Sequence, residues 1–295
     1  MSALIAPSAR GQSSLRKPVL HPALCYCGGR FSIGKWIIRH FPSHYTYVEP
    51  FGGGASVLLQ KRPAPCEIYN DLDSEIVNFF RVLQDAEQRK TLITRLSLTP
   101  HSREEYTQAS RVDDEEPVTR ACALFIRSWQ GIGPAATRKH RSAWSVSTTT
   151  SSLSKSLNAI ENLPAVVERL RCVHLEHRPA IDLIKRHDNP ETLLYVDPPY
   201  LFSTRSGDSH ASHDNYRHEM DDEAHMELLA LLKKSKSMIV LSGYPSTLYD
   251  STLARWRRQE KSTYTDGAGM KKKKPVTEVI WMNPAVSDRI QMRLF

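Results

Sequence analysis

An unbroken apolar run, Leu193-Leu194-Tyr195-Val196, ends at once in Asp197-Pro198-Pro199-Tyr200, and this junction constrains the fold more than any other stretch of the chain. Apolar residues without polar alternation describe a strand buried on both faces, which belongs in a largely parallel sheet covered by helices. The prolines stop that strand, because each fixes its own φ, lacks an N–H and pushes the residue before it out of the helical region. The backbone beyond Val196 is thereby held open, with free carbonyls, a carboxylate and an aromatic ring at the strand's C-terminal edge. Such a set suits a flat ring that carries an amine. An ordinary Pro-Pro turn with a capping Asp has the same letters, so the rest of the chain must decide.

The rest alternates between β and α patterns. Tyr45 to Val48 is a short β-rich run, the turn Glu49-Pro50-Phe51-Gly52-Gly53-Gly54-Ala55-Ser56 follows, and Val57-Leu58-Leu59 is expected to open a helix. Cys66 to Tyr69 is a second strand, after which Ile76, Val77, Phe79, Phe80 and Leu83 give a helical apolar face. Ile33 to Phe41 and Ala121 to Trp129 also have helical spacing, and Ser102-x-x-Glu105 has the form of a capping box. Residues 130–156 show little periodicity. The alternation resumes with strands at Val173 to Glu176, Leu193 to Val196, Met238 to Ser242 and Val276 to Met282, and helices at Ala180 to Arg186 and Asp222 to Lys234.

This pattern predicts a doubly wound, mostly parallel α/β sheet with helices on both faces. Residues 21–84 and 166–295 are expected to form the sheet domain, residues 85–165 a helical insert, and residues 1–20 a loose tail.

Charge bounds the partners. The 295 residues hold 40 Lys and Arg against 32 Asp and Glu, a net charge of +8 with a pI near 9.2, a balance that suits a polyanion such as nucleic acid. Between Pro117 and Ile160 there is no acidic residue, whereas Arg120, Arg127, Arg138, Lys139, Arg141 and Lys155 fall there beside Trp129 and Trp144. Arg127, Arg138, Lys139 and Arg141 are the candidate DNA contacts, since arginine suits both guanine edges and phosphates. The Ser/Thr run 147–152 reads as a loop. Five scattered cysteines form no zinc knuckle and read as reduced cytosolic thiols. Neither a signal-peptide core nor a membrane-length apolar run of about 20 residues is present, so a cytoplasmic protein is expected. The histidines between His177 and His225 fit no compact metal motif, and no metal site is expected.

The glycine turn adds chemistry. In doubly wound folds the first strand-to-helix turn needs glycines for close approach of backbone to a ligand, and an acid about 20 residues on binds ribose hydroxyls. Asp71 follows Gly52 by nineteen positions. Ser56 and Val57 stand where a dinucleotide motif has its third glycine, and Glu49 suits a positive amino group better than a phosphate. A nucleoside with a positive amino-acid arm fits this arrangement, and S-adenosylmethionine is that molecule.

Taken in order, these motifs resemble the Dam-type, α-class, site-specific DNA adenine methyltransferases. Tyr26-Cys27-Gly28-Gly29-Arg30 matches the opening aromatic-x-Gly-Gly-basic segment, with Arg30 in place of the more usual Lys. Pro50 to Gly54 matches the glycine turn, with Ala55 at its last glycine. Asp71, the insert, Asp197-Pro198-Pro199-Tyr200 and the closing Lys271 to Trp281 follow in the family's order. His177 departs from the small polar or acidic residue usual against the cofactor adenine.

The resemblance implies a class I methyltransferase-like fold with an inserted target-recognition domain. It implies S-adenosylmethionine contacts at Tyr26, Gly28, Arg30, Glu49, Pro50, Phe51, Gly52, Gly53, Gly54, Asp71 and Asp197. Asp197, Pro198, Pro199 and Tyr200 would be catalytic on an adenine flipped out of double-stranded DNA, with Tyr216 helping to close the pocket. Neither metal nor membrane is implied, and a monomer or weak dimer in a bacterial or phage-infected cell is expected. Methyltransferases of RNA bases or protein glutamine, a nucleotide-binding oxidoreductase and a silent DNA-binding module are the competing readings.

Overall fold

A computed structural model describes residues 18–26, 29–112, 116–132, 143–145, 150–205, 216–264 and 275–291. Strands β1 (Thr46–Glu49), β2 (Cys66–Asn70), β3 (Val173–Glu176), β4 (Thr192–Val196), β5 (Met238–Gly243), β6 (Arg257–Tyr264) and β7 (Pro275–Met282) make one sheet in the order β3-β2-β1-β4-β5-β7-β6. All pairings among β1 to β5 are parallel, and β7 runs antiparallel to both β5 and β6. β4 and β5 are buried along their whole length, as their unalternated apolar sequences require.

Side-chain alternation divides the sheet into two packed faces. Tyr47, Tyr69, Leu193, Tyr195, Val240 and Ile280 point to one side, where they meet helices α1 (Gly34–Ile38), α2 (Ser74–Gln84), α3 (Ala86–Leu98), α4 (Arg103–Ala109), α5 (Pro117–Gln130) and α6 (Thr150–Leu170). Val48, Ile68, Leu194, Val196, Ile239, Leu241 and Trp281 point to the other, against α7 (Ala180–Arg186), α8 (Asp222–Lys234) and α9 (Thr247–Thr252). A last helix, α10 (Pro284–Gln291), returns Val286 to the first face. The doubly wound, mostly parallel fold expected from the alternation is the one observed.

Between β2 and β3 the described residues of the chain form helices, and these share a core with the sheet. Phe79 of α2 stacks on Phe125 of α5 with ring centroids 6.4 Å apart, and Leu92, Leu124 and Leu163 lie in the same apolar cluster as Tyr47. α6 is also tied down by charge. Buried Glu67 of β2 accepts from Arg169 at 2.5 and 2.9 Å and from Lys61 at 2.5 Å. Burial pushes the Glu67 carboxyl up, but Arg169 and Lys61 outweigh it and hold the group below its usual range.

Three expectations give way here. Residues 55–61 make tight turns, with Leu59 N–H donating to the Ala55 carbonyl at 2.9 Å, where a helix was expected. Pro63 follows too soon for a helix to grow. Residues 150–152 open α6 and are not loop. β6 was missed because Arg257 to Tyr264 carries almost no apolar residue; it is an edge strand, largely exposed, and takes its order from pairing with β7.

Candidate active site

The strand order reverses between β1 and β4, and ligands in open parallel sheets bind outside the C-terminal strand ends at such a point. Because β1, β2 and β4 are parallel and in register, Glu49, Asp71 and Asp197 emerge on one edge. They line one cavity of about 970 Å³ of empty space, open to solvent, together with Tyr26, Arg30, Phe51 and the glycine turn.

The turn is held from both sides. Gly53 has φ +49°, and a side chain there would meet the Tyr26 ring at 2.7 Å. A side chain on Gly52 would lie 2.1 Å from the Tyr69 ring, whose hydroxyl donates to the Gly53 carbonyl at 2.6 Å. Asp71 accepts the Gly53 N–H at 2.7 Å and the Asp73 N–H at 2.8 Å, so it shapes the turn as well as facing the cavity. Burial pushes its carboxyl up to about 6 despite those bonds. Asn70, which the sequence reading passed over, donates to the Pro50 and Arg178 carbonyls at 2.8 and 3.0 Å and so joins the β1 turn to the segment after β3.

Glu49 is 2 % exposed. Burial drives its carboxyl up to about 8, and Asp197 adds to that, while the Tyr47 hydroxyl, donating at 2.5 Å, and Lys61 oppose it. A buried acid in this state awaits a positive charge. The glycine cradle, the Asp71 carboxylate and this acid fit the adenosine and ammonium parts of S-adenosylmethionine.

Asp197 does not stand alone. Arg30 Nε and Nη2 donate to its two oxygens at 2.9 and 3.2 Å, and Arg30 Nη1 donates to Glu278 at 2.8 Å. Arg30 Nη2 also donates to the Tyr200 hydroxyl, which donates to Glu278 at 3.0 Å. The Arg30 guanidinium lies 4.7 Å from the centre of the Tyr200 ring, and Tyr244 meets that ring edge-on at 4.6 Å. Tyr200, the aromatic ring that the sequence offers at the strand's edge, is therefore 7 % exposed and already covered by a cation. Arg30, expected to serve the cofactor, reaches the tetrapeptide. Glu278, inside the closing segment, and Tyr244 were not singled out as site residues; the antiparallel return of β7 and the end of β5 bring them in.

Tyr216 to Met220 also line the cavity. Arg217 pairs with Asp73 at 3.0 Å, Arg205 pairs with Glu219 at 2.8 Å, and Tyr216 lies 6.4 Å from Tyr26. Tyr216 thus reaches the pocket where the sequence reading put it. His177 Nε2 donates to the Leu72 carbonyl at 3.1 Å.

The expected DNA contacts divide. Arg127 is committed inside the protein, to Glu75 at 3.3 Å and the Ala109 carbonyl at 2.8 Å, with its side chain 13 % exposed. That removes it from the set of cations available to DNA, because one face of α5 packs on α2. Gly28, Arg138, Lys139, Arg141 and Lys271 to Lys274 lie outside the described residues. Among the described residues, no group of three or more His, Cys, Asp or Glu is placed to hold a metal ion. No described helix is long and apolar enough to cross a membrane.

A model of the family described as D12 class N6 adenine-specific DNA methyltransferase matches residues 26–265. Among solved structures, the rRNA methyltransferase aviRa from Streptomyces viridochromogenes is 12% identical, with 88% of this chain and 87% of that chain covered and a TM-score of 0.40. A SAM-dependent methyltransferase from Agrobacterium tumefaciens is 9% identical over 87% of this chain and 62% of that one, with a TM-score of 0.37. An rRNA methylase from Streptococcus thermophilus is 8% identical over 86% and 96%, with a TM-score of 0.31.

Proposed function

Because the chain belongs to the D12 class N6 adenine-specific DNA methyltransferase family, we propose that it moves a methyl group from S-adenosylmethionine to the exocyclic amine of an adenine flipped out of double-stranded DNA. The observation that carries this reading is the meeting of Glu49, Asp71 and Asp197 in one cavity at the point where the strand order reverses.

The amine of adenine is a poor nucleophile, because its lone pair is spread into the ring. Asp197 and the Pro198 carbonyl each accept one of its hydrogens, which favours a tetrahedral nitrogen with a directed lone pair. That bonding strengthens as the nitrogen turns positive, so it stabilises the transition state more than the ground state. A carboxylate has about four lone-pair sites, which lets Asp197 keep Arg30 and still accept from the amine. The nitrogen's surplus proton leaves by way of Asp197. Bound S-adenosylmethionine supplies a sulfonium-activated methyl group and departs as a neutral thioether. Glu49 receives its ammonium arm, Asp71 its ribose, and Tyr26 with Gly52, Gly53 and Gly54 the surface between. Holding both reactants in line supplies up to about 7–11 kcal/mol by proximity.

Flipping costs a few kcal/mol, and stacking a base returns about 1–3 kcal/mol. For Tyr200 to do this, the Arg30 guanidinium must shift from over its ring. Residues 85–165 read the sequence and clamp phosphates, with Arg138, Lys139 and Arg141 as the contacts. The protein works in the cytoplasm on chromosomal or phage DNA. The test is transfer of labelled methyl to duplex DNA, single-stranded DNA and RNA, followed by mapping of modified adenines base by base. Label confined to RNA, or to no nucleic acid, overturns the proposal.

A further inference from the structure

One guanidinium lies between two carboxylates in this site, Glu278 buried and Asp197 partly buried. Arg30 donates to Asp197 through Nε and Nη2 and to Glu278 through Nη1, and Glu278 is 5 % exposed. Tyr200 closes the ring of contacts, receiving from Arg30 and donating to the second Glu278 oxygen at 3.0 Å. With both carboxylates ionised the group carries a net charge of −1, which is costly for the buried members of the cluster unless a positive charge arrives.

Resting on the methyl-transfer reading above, we infer that Glu278 is a positioning residue for the reaction. It takes one edge of Arg30, so that the guanidinium is shared and Asp197 keeps lone pairs for the amine. It fixes Tyr200 through the hydroxyl. It also leaves the cluster one negative charge in excess, which is cancelled as the attacking nitrogen becomes positive. No bond to Glu278 forms or breaks. It acts through Arg30, Tyr200 and the field at Asp197, and so favours the transition state over the ground state.

The strain of the uncancelled charge shows at Glu278 itself. Burial pushes its carboxyl above the usual range, Asp197 adds to the push, and Arg30 and Tyr200 resist it. Among the described residues, Tyr195 lies beside Asp197 and Arg30, and Lys261, the cross-strand partner of Glu278 on β6, has its ammonium 5.8 Å over Trp36.

The experiment compares wild type, Glu278→Gln and Glu278→Asp in single-turnover methyl transfer to duplex DNA at saturating cofactor. Rates are normalised to the fraction of protein that binds cofactor by calorimetry. Gln keeps the shape and removes the charge; Asp keeps the charge and shortens the reach. The expected order is wild type, then Asp, then Gln, with Gln slower than wild type by about tenfold or more and cofactor Kd unchanged. The wild-type rate should rise with pH above the ordinary carboxylate range, with a component that Glu278→Gln lacks. A Gln variant as fast as wild type overturns the inference, as does one faster than Asp with the wild-type pH profile, since that marks a role in shape alone. A wild type that binds cofactor yet methylates no duplex overturns the functional reading instead.

Discussion

Replacing Glu49 by Gln should uncouple cofactor affinity from pH. The wild-type carboxyl, raised by burial to about 8, is mostly protonated at neutral pH in the free protein. An ammonium arm needs the carboxylate, so binding must drive off the proton. At pH 6 only about 1 % of Glu49 is ionised and at pH 7.5 about a quarter, so affinity should rise about twentyfold between them. Above about pH 8 the arm's own amine loses its charge, and the gain stops. Calorimetry in two buffers of different ionisation enthalpy should find close to one proton released per cofactor at pH 7. In Glu49→Gln the proton release should vanish and the slope flatten to what Asp71, with its carboxyl at about 6, contributes.

The same shift acts on stability with a definite sign. A carboxyl raised in the fold favours the folded state when protonated, so that contribution is present below its ordinary 4.5 and lost as pH climbs through about 8. Glu49→Gln should therefore melt higher than wild type above neutral pH in the absence of cofactor. A wild-type affinity that changes by less than about twofold from pH 6 to 7.5, or the same slope in both proteins, would refute the reasoning.

Three further outcomes are expected. Asp197→Ala should abolish methyl transfer while duplex binding, followed by anisotropy, stays largely intact; near-normal turnover would sink the assigned role. Glu67→Ala should cost about 3–5 kcal/mol in urea melts, because Lys61 and Arg169 are left as buried, uncompensated cations, and a loss under about 1 kcal/mol would show the triad to be solvated. Charge reversal at Arg138 and Arg141 should flatten the salt dependence of DNA binding, whereas Arg127→Ala should lower stability and leave the slope alone, since Arg127 is spent on Glu75; an unchanged slope in the first variant would remove the insert from the interface.

Much of the fold was readable from local pattern. β3, α7 and α8 lie where the sequence placed them, and β1, β2, β4, β5 and β7 within a residue or two; β4 and β5 were the plainest, because a strand packed on both faces is largely apolar. β6 was not readable, since an edge strand needs no apolar face and its partner β7 lies beyond a separate segment. The turn at residues 55–61 escaped because three apolar residues fit one helical turn as well as an irregular one.

The same division runs through the site. Asp197-Pro198-Pro199-Tyr200, the glycine turn, Glu49 and Asp71 were legible because each is a short motif whose chemistry is written in neighbouring residues and in their position at strand ends. That the three acids share a cavity required parallel register. Arg30 is far from Glu278 in sequence and Arg127 far from Glu75, and pairings at such separation leave no periodic trace. The sequence alone therefore marked the acids that line the cavity. Packing alone decided their charge states and partners, because burial and the distance to a countercharge are properties of neighbours in space.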